Sequence, residues 1–218
     1  MLERPSTAQL LAADLRREIL DGHPAAGERL RERELVERYG VARHTLRAAL
    51  RQLAGEGLVQ IEPHRGASVA RLGPEDVRWL YELRAALELE AAHLALERNG
   101  GRLPEPVHAA LAALEDACAG RAGSDPSWSD VSHAHADLHG AIVAASGSPR
   151  IVAAHQALTG ELLLFLLQLQ PHVEPERLAA AHAALVADLE HEGAGAGALR
   201  AHLRKSAETL GASVGSVR

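Results

Sequence analysis

The sequence predicts a mostly α-helical protein of two domains, with one short β-hairpin near residue 65. Of its 218 residues 47% are apolar but only 2% are aromatic, so leucine, alanine and valine must build the core. That composition favours helices over strands. Residues 1–72 hold 12 arginines and 10 acidic residues, whereas residues 73–218 hold 11 basic and 19 acidic residues. A mildly basic head on an acidic body indicates two modules, of which the head binds an anionic partner.

The N-terminal third predicts three helices in a row. Ser6 can cap the first helix, which runs to about Asp21, with Gln9 as its capping-box partner. After a loop over residues 22–27, residues 32–58 have the pattern of two short helices joined by a tight turn at Gly40. The second of these begins near Ala42 and runs to about Gly55. The arrangement is that of a helix-turn-helix.

One face of the helix after Gly40 is apolar and the neighbouring face is basic. At 100° per residue, one arc holds Leu46, Ala49, Leu50 and Leu53, and the next holds Arg43, His44, Arg47 and Arg51. The apolar arc can pack on a core, and arginine side chains at the start of such a helix suit entry into a DNA major groove. The alternative is a solvated charged face on an ordinary helical hairpin.

A β-hairpin follows the helix-turn-helix. Residues 58–61 and 67–70 are short β-compatible runs on either side of a tip formed by Pro63, His64, Arg65 and Gly66. A helix-turn-helix followed by such a hairpin is a winged helix, and its tip can reach a minor groove or a phosphate. The sequence therefore predicts a winged helix-turn-helix with a small β-wing over residues 1–72.

From Leu72-Gly73-Pro74, which we interpret as the hinge between domains, the pattern is helical throughout. We predict helices over 75–98, 105–120, from a cap at Ser127 or Ser129 to Ala145, and over 149–170, 175–191 and 194–210. The longest apolar run, residues 162–167, is far shorter than the ~20 residues of a membrane-spanning helix. The first 20 residues are charged rather than signal-like, and Cys118 is the single cysteine. These features predict a cytoplasmic protein with no membrane partner.

Four of the 13 histidines fall on apolar helical faces. His135 and His139 lie one turn apart on one helix, and His182 and His202 lie on two later helices. Imidazoles one turn apart can bind one Zn, Ni, Cu or Fe ion; the alternative for each is a hydrogen-bonded core histidine. Four other histidines of this half we interpret as surface or packing residues: His133, His155, His172 and His191.

Arg84 is a candidate ligand-binding residue on the first helix after the hinge. A guanidinium near a buried cavity can bind the carboxylate of a small effector. The alternative is an ion pair with Glu88, which lies four residues on along the same helix.

The head resembles the DNA-binding domain of GntR-type repressors. The stretch GERLRERELVERYGVARHTLRAALRQLAGEGLV matches the family pattern PGxxLxExxLAxxxGVSRxPVRxALxxLxxEGLV, and the resemblance covers about residues 6–71. Ala42 stands where the family commonly has Ser, and His44-Thr45 where it often has Thr-Pro; these departures concern the operator sequence rather than the fold. The resemblance implies that duplex operator DNA is bound by residues of the helix-turn-helix and the wing: Arg33, Arg43, His44, Thr45, Arg47, His64, Arg65 and Gly66.

The second half resembles the FCD ligand-binding domain of the FadR branch of these regulators, over about residues 74–210. Three stretches carry the resemblance: YELRAALELEAAHLA with its R-x-x-L-E pattern, HADLHGAIVAASGSPRI, and AHAALVADLEHEGAGAGALRAHL. The resemblance implies an antiparallel all-α bundle, usually dimeric, over residues 73–218. It also implies a divalent metal held by one Asp and three His. His139, His182 and His202 stand at the three histidine positions, and His135 stands where the family has Asp.

The histidine at position 135 makes the expected site all-imidazole. Asp137 lies two residues on and points roughly opposite, so it cannot simply replace the missing carboxylate. Zn or Ni is the expected metal.

Together these patterns favour an effector-responsive transcriptional regulator, a repressor rather than an enzyme. Its expected partners are operator DNA, a small carboxylate effector bound near Arg84, and a second copy of the chain. One alternative is a metal-dependent hydrolase, which lacks a motif such as H-E-x-x-H and leaves the winged helix unexplained. The other alternative is an architectural DNA-binding protein without an effector.

Overall fold

The computed structural model describes residues 5–120, 125–169, 173–191 and 195–216. The chain divides into two compact units, Met1–Arg71 and Leu72–Arg218. Each unit has its own buried apolar residues. The mostly helical fold, expected from the composition, and the small antiparallel sheet, expected from the hairpin pattern, are both confirmed.

The first unit contains the predicted helix-turn-helix and wing. Its helices are α1 (Thr7–Leu20), α2 (Glu32–Tyr39) and α3 (Arg43–Gly55), and its strands are β1 (Arg29–Leu30), β2 (Val59–Glu62) and β3 (Gly66–Val69). The strands form one antiparallel sheet in the order β1-β3-β2. We did not predict β1, because two residues are too few to show an alternating pattern.

Local sequence signals set the helix boundaries in this unit. Ser6 and Gln9 form a reciprocal capping box at the start of α1, with the Gln9 N–H donating to Ser6 Oγ at 3.3 Å and the Ser6 N–H to Gln9 Oε1 at 2.7 Å. Gly40 ends α2 with φ = 63°, in the left-handed region that a residue with a side chain enters only with strain. The apolar arc of α3 is fully buried, and α3 packs against α1.

The described residues of the second unit form seven helices. They are α4 (Pro74–Arg98), α5 (Glu105–Ala119), α6 (Trp128–Ala145), α7 (Pro149–Gln156), α8 (Thr159–Leu169), α9 (Pro175–Glu190) and α10 (Gly195–Ser216). α4 packs against α10 and α6, and α5 packs against α6 and α9. Ser127, and not Ser129, caps α6, since its Oγ accepts the Asp130 N–H at 3.3 Å.

The single helix predicted over 149–170 is wrong, because the chain turns between α7 and α8. At the end of α7 the Leu158 N–H donates to the His155 carbonyl three residues back, at 2.9 Å, which tightens the last turn. No proline lies at this break. His155 is buried on α7, and residues 162–166 of α8 are all buried. By length and composition the stretch Pro149–Leu167 could also cross a membrane, but core helices pass the same test and this one is divided.

Candidate DNA interface and metal centre

The start of α3 presents polar side chains to solvent. Arg43, His44 and Arg47 are exposed and Thr45 is half-buried, while the opposite face of the helix lies in the core. Ala42 precedes the helix in an extended conformation and provides no side-chain cap. The first-turn N–H groups therefore add to the positive potential of the arginines at this end of the helix.

Arg47 is oriented by a carboxylate of the preceding helix. Its Nε lies 3.0 and 3.1 Å from the two carboxylate oxygens of Glu32, and this hydrogen bond raises the pKa of the guanidinium. The bond uses Nε, so both Nη groups stay available to an acceptor in a DNA groove. Arg43 and Arg33 are exposed and form no ion pair with the described residues.

The wing tip is a tight turn with two residues in the left-handed region. The Arg65 N–H donates to the Glu62 carbonyl at 3.1 Å, His64 has φ = 65° and Gly66 has φ = 86°. Proline followed by a positive φ is typical of a type II turn, which here exposes the side chains of His64 and Arg65. Arg65 Nη1 lies 3.2 Å from the carboxylate of Glu62.

A groove of about 430 Å³ separates α3 from the wing within the first unit. It brings together predicted DNA-binding residues of both elements, and its lining includes Glu32, Arg47, Arg51, Ile61, His64 and Gly66. Helix α3 and the wing tip thus border one groove, in which Arg47 and Arg51 lie beside Glu32 and Glu62.

In the second unit the four predicted metal-binding histidines lie together. His135 and His139 on α6 and His182 on α9 are buried, and His202 on α10 is half-buried. The ligating nitrogens of His135, His139 and His182 lie within 4.8 Å of one another. The His202 ring centroid is 4.6 Å from that of His182 and 5.8 Å from that of His139.

Hydrogen bonds fix which ring nitrogens carry protons. His139 Nδ1 lies 2.7 Å from Glu88 Oε2, and His182 Nδ1 lies 2.7 Å from the Leu178 carbonyl. Both partners are acceptors only, so both Nδ1 atoms are N–H donors and both Nε2 atoms carry lone pairs in the neutral rings.

The two Nε2 lone pairs face each other across 3.2 Å. Facing lone pairs repel each other unless a cation lies between them. A tetrahedral ion with nitrogen ligands at about 2.0–2.1 Å separates them by roughly 3.3 Å. The donor set and its spacing therefore fit a divalent transition metal.

Burial keeps these imidazoles in the form that binds metals. Burial lowers the pKa of His135 and His182 well below the ordinary value, and the neighbouring imidazoles lower it further. Burial also lowers the pKa of His139, although Glu88 opposes the effect, and it lowers the pKa of His202 to about 3. The rings are neutral at physiological pH, which is the state that donates a lone pair.

Glu88 stands at the centre of this site, and sequence reasoning named it only as a possible partner of Arg84. The Glu88 side chain is 1% exposed. Its Oε1 accepts hydrogen bonds from Arg84 Nε at 2.7 Å and from His155 Nε2 at 3.1 Å. Its Oε2 accepts one from His139. Burial alone would raise the Glu88 pKa, but Arg84 and His139 hold it well below its ordinary value. The R-x-x-L-E pattern already pointed to Glu88 as a candidate. Nothing in the sequence pointed to His155, because its position alone does not show which residue it contacts.

Arg84 combines the two interpretations left open by the sequence. It is buried and forms the ion pair with Glu88, and its guanidinium carbon lies 4.8 Å from the Tyr81 ring centroid. Its Nη2, however, has no hydrogen-bond partner, and neither do the buried Ser132 Oγ and His135 Nδ1. The ion pair is therefore present, and one donor remains for a ligand.

The other candidates separate from this cluster. Asp137 is exposed, as its opposite helical position predicted, and His133 and His191 are exposed as well. His155 is buried and hydrogen-bonded. His172 lies outside the described residues.

Comparison with known proteins places both units in described families. Residues 7–69 match the family "Bacterial regulatory proteins, gntR family", and residues 79–205 match the FCD domain. A transcriptional regulator GntR from Rhodococcus sp. RHA1 shares the fold, with a TM-score of 0.75 at 24% identity over 98% of this chain and all of that one.

Curated relatives are named as transcriptional regulators. The HTH-type transcriptional repressor GlaR of Escherichia coli is 30% identical over 66% of this chain and 65% of its own length. The uncharacterised regulator YdhC of Bacillus subtilis is 34% identical over 38% of this chain and 37% of its own length. The chain spans about a third to a half of the length of the first curated relatives it matches.

These names favour regulation over the hydrolase alternative. The FCD match alone covers more than half of the chain, and the GntR match covers the winged helix. The chain belongs to the GntR family of bacterial regulators, with a winged helix-turn-helix followed by an FCD domain.

Proposed function

We propose that this protein is an effector-responsive transcriptional repressor that binds operator DNA as a homodimer in the cytoplasm. The observation that supports this proposal is that the two candidate sites lie in different units. One unit presents exposed arginines on α3 and at the wing tip, and the other encloses a cluster of imidazoles. The winged helix accounts for DNA binding, and the buried cluster accounts for sensing.

In the DNA-binding step α3 enters the major groove. Arg43 and Arg47 contact base edges, with His44 and Thr45 beside them, because these side chains occupy the exposed start of the helix. Arg33 and the wing residues His64, Arg65 and Gly66 contact the sugar–phosphate backbone or the minor groove.

In the helical domain one divalent metal is held by His139, His182 and His202, with His135 as a fourth ligand. The all-nitrogen donor set favours Zn or Ni over Mg, Ca or Mn. When bound, the metal would act as a Lewis acid, to which an anionic oxygen can bind. Arg84 adds a hydrogen-bond donor to the same region through its unpartnered Nη2.

The effector is a small organic acid. A carboxylate beside the imidazole cluster would accept from the Arg84 Nη2 donor, and leaving such a buried donor without a partner is costly. It would also be an anionic oxygen ligand for the metal, by adding to the four imidazoles or by displacing one of them. Coupling to DNA then requires only that the acid bind one arrangement of the dimer more tightly than another.

The DNA step is tested by replacing Arg43 and Arg47 separately with Ala. Each variant should bind the chain's own promoter about 5- to 150-fold more weakly and discriminate less between bases. Arg78→Ala removes the same charge from the exposed face of α4 and should leave binding unchanged. Wild-type affinity in both α3 variants, measured by gel shift, would show that the recognition helix is assigned wrongly.

The metal site is tested by elemental analysis of protein purified without an affinity tag. Wild type should hold roughly one Zn or Ni per chain, and His139→Ala or His182→Ala should hold almost none. His133→Ala is the matched control, since it removes an exposed imidazole from the same helix as His139. Wild type that stays below about a tenth of an equivalent after incubation with either ion contains no such site.

The dimer is tested by light scattering of the full chain with and without operator DNA. A mass of two chains in solution, and two chains per operator, is the expected result. A single chain bound per operator would contradict the dimer.

A further inference from the structure

The two carboxylate oxygens of Glu88 accept hydrogen bonds from different donors. Oε1 faces donors that lie away from the imidazole cluster, Arg84 Nε at 2.7 Å and His155 Nε2 at 3.1 Å. Oε2 faces one donor only, His139 Nδ1 at 2.7 Å. All four groups are buried, so water does not substitute for any missing acceptor.

The proton positions in this network follow from Arg84. A guanidinium has donors only and does not lose a proton in proteins, so the atom opposite Arg84 Nε must be an acceptor. An ionised carboxylate satisfies Arg84 with one oxygen and still presents an acceptor to His139 with the other. The His139 proton is thereby drawn to Nδ1, and the lone pair is left at Nε2, 3.2 Å from His182 Nε2.

We propose that Glu88 is a positioning residue that fixes the tautomer of His139 and so keeps its Nε2 lone pair available to a metal. The inference rests on the proposed metal binding by the imidazole cluster. It also explains why Arg84 and Glu88 are buried together: Arg84 orients the carboxylate, and the carboxylate orients the ligand.

The amide variant Glu88→Gln has a particular expected outcome. Its side chain has one acceptor and one donor end, and Arg84 requires the acceptor. The NH2 group then faces His139, whose ring can respond by moving its proton to Nε2. That proton can be donated to the His182 Nε2 lone pair across the existing 3.2 Å. The variant should be folded, internally hydrogen-bonded and unable to bind the metal well.

The experiment measures Zn and Ni affinity by competition with a chromogenic chelator, for wild type and Glu88→Gln, near pH 8. Affinity should fall at least 10–100-fold, the usual effect of losing the hydrogen-bond partner of a ligand. The melting temperature of the metal-free variant should fall, because the buried guanidinium of Arg84 loses its counter-charge, but the variant should remain folded at the temperature of the titration. Wild-type metal affinity in the folded variant would overturn the proposal.

Two further measurements test whether Glu88 fixes the tautomer of His139 or only stabilises the surrounding fold. In ¹⁵N imidazole spectra of metal-free protein, His139 should be protonated at Nδ1 in wild type and at Nε2 in Glu88→Gln. Adding Arg84→Met to Glu88→Gln removes the obligatory donor, so the amide oxygen can turn to His139 and restore part of the metal affinity. Arg84→Met alone is the control. An Nε2-protonated His139 in wild type, or no restoration in the double variant, would contradict the proposal.

The outcomes also distinguish this inference from the function it rests on. If wild type binds neither ion, the proposed metal site fails. If Glu88→Gln does not fold, a proton at Nε2 of His139 in metal-free wild type would still overturn this inference.

Discussion

At the scale of single residues, the proposed DNA-binding surface carries carboxylates paired with its arginines. Glu32 holds Arg47 and Glu62 holds Arg65, and both acidic side chains line the groove between α3 and the wing. A carboxylate on this surface repels phosphates, so its contribution to binding must come from orienting the arginine beside it. Such pairing favours sequence discrimination over general affinity.

Glu32→Gln should therefore raise affinity for non-specific duplex DNA and lower the ratio of specific to non-specific affinity, by about 5-fold or more. The loss of a negative charge reduces repulsion, and Arg47 loses its fixed orientation. Gel shifts against operator and scrambled duplexes at matched salt give the ratio. Glu34→Gln is the control, because Glu34 lies on the same helix, pairs with Arg31 and carries the same charge. An equal ratio in the two variants would show that the Glu32–Arg47 pair is irrelevant to specificity.

At the scale of elements, the structure shows which features local sequence determines. Three features each depend on a few neighbouring residues and were therefore predictable: the capping box at Ser6, the positive φ at Gly40 and the apolar arc of α3. Strand β1 depends on pairing with β3, which is distant in sequence, and the break between α7 and α8 lies inside an apolar run, where only a local three-residue hydrogen bond marks it. Periodicity cannot show them, because the same apolar run suits one helix or two.

In the candidate metal centre, too, some features could be predicted from local sequence and others could not. Helical positions alone placed His135, His139, His182 and His202 on inward faces, and the structure brings their rings together. The duties of Glu88 and His155 could not be predicted, because they depend on contacts between residues 51 and 67 positions apart. Hydrogen-bond partners of ligands are less visible in sequence than the ligands themselves.

At the scale of the whole molecule, the proposed sensing and the proposed DNA binding reside in different units, and the chain passes between them at residues 71 and 72. An organic acid that binds the metal and Arg84 should change operator affinity by about 5- to 150-fold. Titrations of operator DNA with and without each acid, in wild type and in His139→Ala with His182→Ala, measure this. The double variant should not respond. An equal response in both proteins would exclude metal-centred sensing, and tight acid binding without any change in DNA affinity would exclude the switch.

The all-imidazole cluster has one more consequence, which concerns charge neutrality. Neutral rings bring no negative charge to a divalent ion, and Glu88, the carboxylate that touches these rings among the described residues, is already offset by Arg84. A loaded centre would therefore keep its full positive charge in a buried site, where an uncompensated charge is costly. An entering acid would act as the counter-ion, so the protein should hold its metal more tightly when the acid is present. Metal retention against a chelator would then report the effector before any DNA is added.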